Sequence, residues 1–267
     1  MRSVLRVPDA WQPLVAGRTW SRVTDGASGT AVYRLESSVG PAHFLKWAAD
    51  AELVAALRAE HDRLQWLAGR VCVPRVLAFV EEAHGAMLLT DALPGCSAHR
   101  ALEDAAALGA NAVDALASVL GVWLRVLHAQ PIDACPFDVD FASRLAEATR
   151  RVAAGMVDED DFDEERRGWR ATDVVDALHA LLPLPFARAL THGDYSLDNV
   201  FVACGQVTGV LDVGRAGVAD PYQDIAICWR DLGEFGASAQ SAFLRGYGVH
   251  TMDSARCTAH LLLDELF

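Results

Sequence analysis

Five polar side chains spread along this sequence, Lys46, Glu60, Asp194, Asn199 and Asp212, are of the types that move a phosphoryl group. That reaction asks a protein for little covalent chemistry. It needs a cation for the phosphate oxygens, a carboxylate to orient or deprotonate the attacking hydroxyl, and hard oxygen ligands for a divalent metal. Asp194 lies in Leu190-Thr191-His192-Gly193-Asp194-Tyr195-Ser196-Leu197-Asp198-Asn199, where short polar residues crowd just before an apolar strand. A satisfied core has little use for them there.

The five-residue interval from Asp194 to Asn199 equals the Asp-to-Asn interval of the protein-kinase catalytic loop. Both residues are also common loop formers, so the interval alone is a weak sign. Asp212 adds to it, because Val207-Thr208-Gly209-Val210-Leu211 reads as a strand that delivers a carboxylate beside Val213-Gly214, as suits a magnesium ligand. A turn or a helix cap is the other reading of Asp212. On the helix expected over 51–68, Leu53, Leu57, Glu60, Leu64 and Leu67 recur at helical spacing, which sets Glu60 on the buried stripe. A buried carboxylate needs a cation, and Lys46 in His43-Phe44-Leu45-Lys46-Trp47 supplies one, unless Glu60 sits at the stripe's edge and reaches water. The stretch Asp25-Gly26-Ala27-Ser28-Gly29-Thr30 offers N–H groups and hydroxyls to phosphates, or is a plain hairpin turn.

The elements that position these residues follow from pattern. Short strand-like runs cover 20–24, 31–35, 43–47, 76–80 and 86–90, with one helix among them that Gly69 stops. After Leu93-Pro94-Gly95 the period lengthens, and Val113, Leu116, Leu120, Leu124 and Leu127 mark one helical face. Further helices are expected around 141–154, 172–182, 222–234 and 254–266, and two short strands over 199–203 and 206–211 joined at Cys204-Gly205. The expected fold is α+β with two lobes: a small, mainly β lobe with one helix over 1–93 and a larger, mainly α lobe over 94–267.

Bulk properties exclude several classes. With 23 basic residues against 36 acidic ones the formal charge is −13, which repels nucleic acid and attracts cations. The first residues carry no apolar targeting core, and no run reaches the roughly 18 uncharged apolar residues of a membrane span, so a cytoplasmic protein is expected. Six cysteines without a CxxC pair read as reduced thiols, and nine histidines without paired spacing argue against a zinc site.

The chain resembles the aminoglycoside phosphotransferases, and among them the 3′-phosphotransferases of kanamycin and neomycin. The resemblance is carried by His192-Gly193-Asp194 through Asn199, by Gly209-Val210-Leu211-Asp212-Val213-Gly214-Arg215, by Val218-Ala219-Asp220-Pro221-Tyr222-Gln223-Asp224-Ile225-Ala226, by the acidic run Asp158 to Glu165 and by Leu262-Leu263-Asp264-Glu265-Leu266-Phe267. It implies a protein-kinase-like fold, ATP and Mg2+. It implies that Lys46, held by Glu60, binds the α/β-phosphates, that Asp194 is the catalytic base or positioner, and that Asn199 and Asp212 bind magnesium. Phe44 would lie against adenine, the backbone from Asp91 to Leu93 would meet its edge, Ser28 the terminal phosphates, and Arg215 would stand near the active-site carboxylates.

Seven of the eight residues from Asp158 to Glu165 are acidic, a density that repels itself unless solvated or met by positive charge. An aminoglycoside carries several ammonium groups, and the resemblance implies that Asp161, Asp163, Glu164, Asp194, Asp231, Glu234, Asp264, Glu265 and the carboxylate of Phe267 receive it. Read without the resemblance, 158–165 is a solvated loop or helix start. Departures from the family pattern are the hinge Thr90-Asp91-Ala92-Leu93-Pro94-Gly95 and Tyr195 after the base. A monomer or weak dimer is expected. The alternatives are a kinase of choline, a macrolide or a sugar amine on the same fold, or a non-catalytic nucleotide- or drug-binding protein.

Overall fold

The computed structural model describes residues 7–23 and 29–267. They divide into two compact units, one running to Pro94 and taking in Gly209–Gly214, the other comprising Gly95–Thr208 and Arg215–Phe267. The segment that carries Asp212 therefore packs with the first unit, although sequence order sets it within the second.

The first unit is an antiparallel sheet of β1 (Thr19–Val23), β2 (Ala31–Glu36), β3 (His43–Ala48), β4 (Val76–Glu82) and β5 (Gly85–Asp91), in the order β1-β2-β3-β5-β4. Strand alternation sorts its faces. Leu35, Leu45 and Leu89 pack with Trp11 and Val15, the latter in the short helix α1 (Gln12–Val15). Residue parity puts Phe44 and Lys46 on the opposite face from Leu45. The helix α2 (Ala51–Leu67) packs against the sheet and buries Leu57, Leu64 and Leu67, and its N-cap Asp50 accepts from the Glu52 N–H at 2.8 Å.

The second unit opens with β6 (Cys96–Ser97), which pairs with β8 (Val200–Ala203), and α3 (Ala98–Ala106), capped by the Ser97 hydroxyl. Then come α4 (Ala110–His128), α5 (Phe141–Ala153) and α6 (Ala171–Leu181). A two-stranded ladder joins β7 (Ala189–Thr191) to β10 (Gly217–Ala219), and β8 turns through Cys204 and Gly205, both at positive φ, into β9 (Gln206–Val210). The chain closes with α7 (Tyr222–Asp231), α8 (Ala237–Tyr247) and α9 (Ser254–Asp264). Helices α5, α6 and α9 share a core of Phe141, Ala148, Val174, Leu178, Leu262 and Leu263.

On α4 the expected stripe of Val113, Leu116, Leu120, Leu124 and Leu127 is buried. By length and composition α4 is the one described helix that could cross a membrane, although Asp114 and Arg125 interrupt it. Its partner is α8, and glycines set the approach: a Cβ on Gly121 would stand 2.1 Å from the Phe243 carbonyl oxygen, and one on Gly246 2.2 Å from that of Ser118. Helices α3 and α8 and strands β6, β7 and β10 were not anticipated from the sequence. The helix expected over 222–234 ends at Asp231 and tightens into a 3-10 turn, Leu232–Phe235.

Candidate active site

Two sets of candidate residues assemble, one in each unit. In the first unit both Oε atoms of Glu60 lie 2.8 Å from Lys46 Nζ, and Asp212 also accepts from that ammonium. Glu60 is thus paired, as its place on the stripe requires. Burial works against the Lys46 charge, but Glu60 first and Asp212 second outweigh it and carry its pKa above the ordinary lysine range. Burial raises the Glu60 pKa, with Lys46 opposing. Asp212 is half exposed and holds φ at 51°, a left-handed backbone that non-glycine residues seldom adopt and that gathers at functional sites. Phe44 is partly buried, and the N–H groups of Asp91 and Ala92 are spent on the carbonyls of Arg75 and Ala42. Ser28 lies outside the described residues.

In the second unit β7 delivers His192-Gly193-Asp194. The loop is fixed from behind by Asp224, a fully buried carboxylate whose Oδ2 accepts from the His192 N–H at 2.7 Å and whose Oδ1 accepts from the Gly193 N–H at 2.8 Å. Gln223 Nε2 donates to the Gly193 carbonyl at 2.7 Å. Gly193 has φ 89°, and a Cβ there would be 2.3 Å from the Arg215 carbonyl oxygen, so glycine is required on both counts. Asn199 Nδ2 donates to Asp194 at its carbonyl (3.0 Å) and at Oδ2 (3.1 Å). The amide nitrogen of Asn199 is committed to Asp194, so its Oδ1 is the end suited to a metal. Asp212 and Asn199 thus both present the hard oxygen donors that magnesium takes.

Of the remaining candidates of this unit, Asp163, Arg215, Asp231, Asp264 and Glu265 form an ion-pair cluster. Arg230 reaches Asp231 Oδ1 at 3.1 Å, Asp264 Oδ2 at 3.3 Å and Asp163 Oδ2 at 3.7 Å. Arg166 bonds Glu265 at 2.9 Å and approaches Asp163 at 3.4 Å, and Arg215 pairs with Asp264 at 3.6 Å. Glu265 is buried, and it also accepts from the Asp163 N–H at 3.1 Å, so it fastens the acidic loop from inside. Asp161 and Glu164 are exposed on that loop, while Glu234 lies apart, exposed and 3.3 Å from His99. The Phe267 ring has three guanidinium groups around it: Arg144 at 4.7 Å, Arg215 at 5.5 Å and Arg151 at 5.7 Å from its centre. Of these, Arg144 is buried, its Nη1 and Nη2 without a hydrogen-bond partner among the described residues, and burial first, then Arg215, pushes its pKa down to about 10.

A lysine paired to a helix glutamate, and an aspartate whose loop also carries an asparagine, are groups of the kind that phosphoryl transfer uses. The model of the phosphotransferase enzyme family matches residues 19–258. The chain belongs to that family. An aminoglycoside 3′-phosphotransferase of Escherichia coli is 43% identical to this phosphotransferase over 262 residues, covering 98% of this chain and 95% of its own. The crystal structure of an aminoglycoside-3′-phosphotransferase of type VIII matches with a TM-score of 0.82 at 36% identity, covering 97% of each chain. An aminoglycoside phosphotransferase from Streptomyces rimosus, in complex with ADP and streptomycin, matches with a TM-score of 0.76 at 29% identity and 92% coverage of each chain.

Several residues that hold this phosphotransferase's site together escaped the sequence reading. Asp224 lies within the segment Val218 to Ala226, and behind it His128 Nε2 is 2.9 Å from Asp224 Oδ2, with Tyr247 Oη 2.9 Å from His128 Nδ1. The signal was present: Gln223 and Asp224 interrupt an otherwise apolar run at the start of α7, where every residue from Tyr222 to Cys228 is buried. Arg166 and Arg230 gave no such signal, because charged residues in acidic or helical stretches ordinarily face water.

Proposed function

We propose that this phosphotransferase transfers the γ-phosphoryl group of ATP to the 3′-hydroxyl of an aminoglycoside, and so confers resistance to it. The observation that carries the reading is the Asp194 loop, in which Asn199 orients the carboxylate and Asp224 locks the backbone, the arrangement needed to aim a hydroxyl rather than to form a covalent intermediate. Asp194 positions the 3′-hydroxyl and accepts its proton as that oxygen bonds to the γ-phosphorus and the bond from the γ-phosphorus to the bridging oxygen of the β-phosphate breaks, releasing ADP. Lys46, steadied by Glu60, neutralises the nucleotide's α- and β-phosphates, Phe44 packs on adenine, and Asp91 and Leu93 receive its edge. The first unit is then the nucleotide-binding part, and the second holds the catalytic loop and the substrate.

Asp212 and Asn199 would hold the magnesium, which when bound neutralises charge on the phosphate oxygens. Asp161, Asp163, Glu164, Asp231, Glu234, Asp264 and Glu265 supply the negative field for a polycation, with Glu265 acting through the loop it anchors. Arg215 balances Asp264. Phosphorylation adds about two negative charges to a drug whose binding depends on positive ones. ATP dependence fits a cytoplasmic enzyme.

ADP release from ATP and magnesium tests the reading, with kanamycin and with tobramycin, which lacks the 3′-hydroxyl. Turnover is expected on kanamycin alone and is lost by at least about 10²-fold in Asp194→Asn. Turnover on both drugs would move the reaction to another hydroxyl, and turnover on neither would refute the assignment.

A further inference from the structure

Among the carboxylates proposed to meet the substrate, Asp163, Asp231, Asp264 and Glu265 are already engaged by arginines of the chain itself. The arginines are not equivalent. The Arg166 side chain is 8% exposed and fixed on Glu265, whereas that of Arg230 is 33% exposed. Arg215 is more open still but pairs with Asp264 alone in this cluster, at 3.6 Å. Arg230 is thus both accessible and shared: one guanidinium serves Asp163, Asp231 and Asp264 at distances between 3.1 and 3.7 Å. A fork of N–H donors reaching three carboxylates does what a substrate ammonium would do in the same place.

We propose that Arg230 is a specificity-determining residue, a resident cation that occupies the carboxylates Asp163, Asp231 and Asp264 and that a substrate ammonium must displace or share. The inference rests on the reading of these acids as the aminoglycoside subsite. Resident charge of this kind keeps the acidic cluster from repelling itself while empty. It also penalises weakly basic ligands, which cannot compete with a guanidinium for the same oxygens. Asp231 is consistent with a crowded subsite: burial raises its pKa, and Arg230 only partly counters this.

The experiment compares steady-state constants for kanamycin and for ATP in the wild type, Arg230→Gln, Arg230→Lys and Arg188→Gln. The last removes an exposed arginine paired with Asp138 and makes the same change in net charge. In Arg230→Gln the KM for kanamycin falls about tenfold, equivalent to about 1.4 kcal/mol, and the KM for ATP does not follow it. In Arg188→Gln neither constant changes. An unchanged or higher kanamycin KM in Arg230→Gln, or an equal fall in Arg188→Gln, overturns the proposal. If Arg230→Gln fails to fold, Arg230→Lys decides: its single ammonium reaches fewer of the three carboxylates and lowers the kanamycin KM by a smaller factor in the same direction, and no fall overturns the proposal. A wild-type enzyme that does not turn over kanamycin at all refutes the functional reading itself, and this inference with it.

Discussion

Asp224 is worth following as a single side chain, because two consecutive backbone N–H groups and an imidazole converge on one carboxylate with no access to water. Burial alone would raise its pKa, but the His128 hydrogen bond and charge, with help from His192, hold it below the usual aspartate range. A carboxyl whose folded pKa is depressed stabilises the fold above its unfolded value, near 4, and that contribution is lost as pH falls through the lower folded value. Asp224→Asn should therefore destabilise the protein by about 3 kcal/mol at neutral pH, and the difference between variant and wild type should shrink under acid. Thermal melts across a pH series measure both, and a difference that does not depend on pH would show that Asp224 acts through shape alone. At this scale the sequence was informative where charge met periodicity. Glu60 on an apolar stripe demanded a cation, and Lys46 is there at 2.8 Å. It was silent where charge met charge, since nothing in the spacing of Asp163, Arg166, Arg230, Asp264 and Glu265 reveals that they share one cluster.

The α4–α8 pair shows how an element can matter to a loop it does not contain. His128 ends α4 and Tyr247 ends α8, and their hydrogen bond forms because Gly121 and Gly246 let the two backbones come together. In Gly121→Ala the new methyl would meet a backbone carbonyl oxygen, which cannot rotate away, so the helices must part. The expected cost is about 1–3 kcal/mol, read as a fall in Tm of about 2–4 °C per kcal/mol for a chain of this size. An unchanged Tm would mean that the helices slide without loss. The sequence disclosed α4 through a regular stripe of large residues, but α8, Ala237-Ser238-Ala239-Gln240-Ser241-Ala242-Phe243-Leu244-Arg245-Gly246-Tyr247, is built largely of small ones with little periodic contrast. The short strands β6, β7 and β10, two or three residues each, are set by partners distant in sequence and leave no alternation to detect.

Across the whole molecule the net charge of −13 sets a field that favours cations before any contact is made. Raising ionic strength should increase the KM for kanamycin several-fold between about 0.05 and 0.5 M salt, because the screening length shrinks from about 14 Å to about 4 Å. A flat dependence would confine recognition to the touching groups. The first unit runs to Pro94 and also takes in Gly209–Gly214, a return that no periodicity in the sequence signals and that rests on contacts such as the hydrogen bond from the Val210 N–H to the Cys72 carbonyl at 3.0 Å. The basic residues of this acidic chain are also lopsided: of 23, Lys46 alone is a lysine. Chemistry selective for side-chain amines therefore has one address in the whole polypeptide, the Nζ atom between Glu60 and Asp212. A label attached there is attached to a single known atom, whatever the rest of the surface presents.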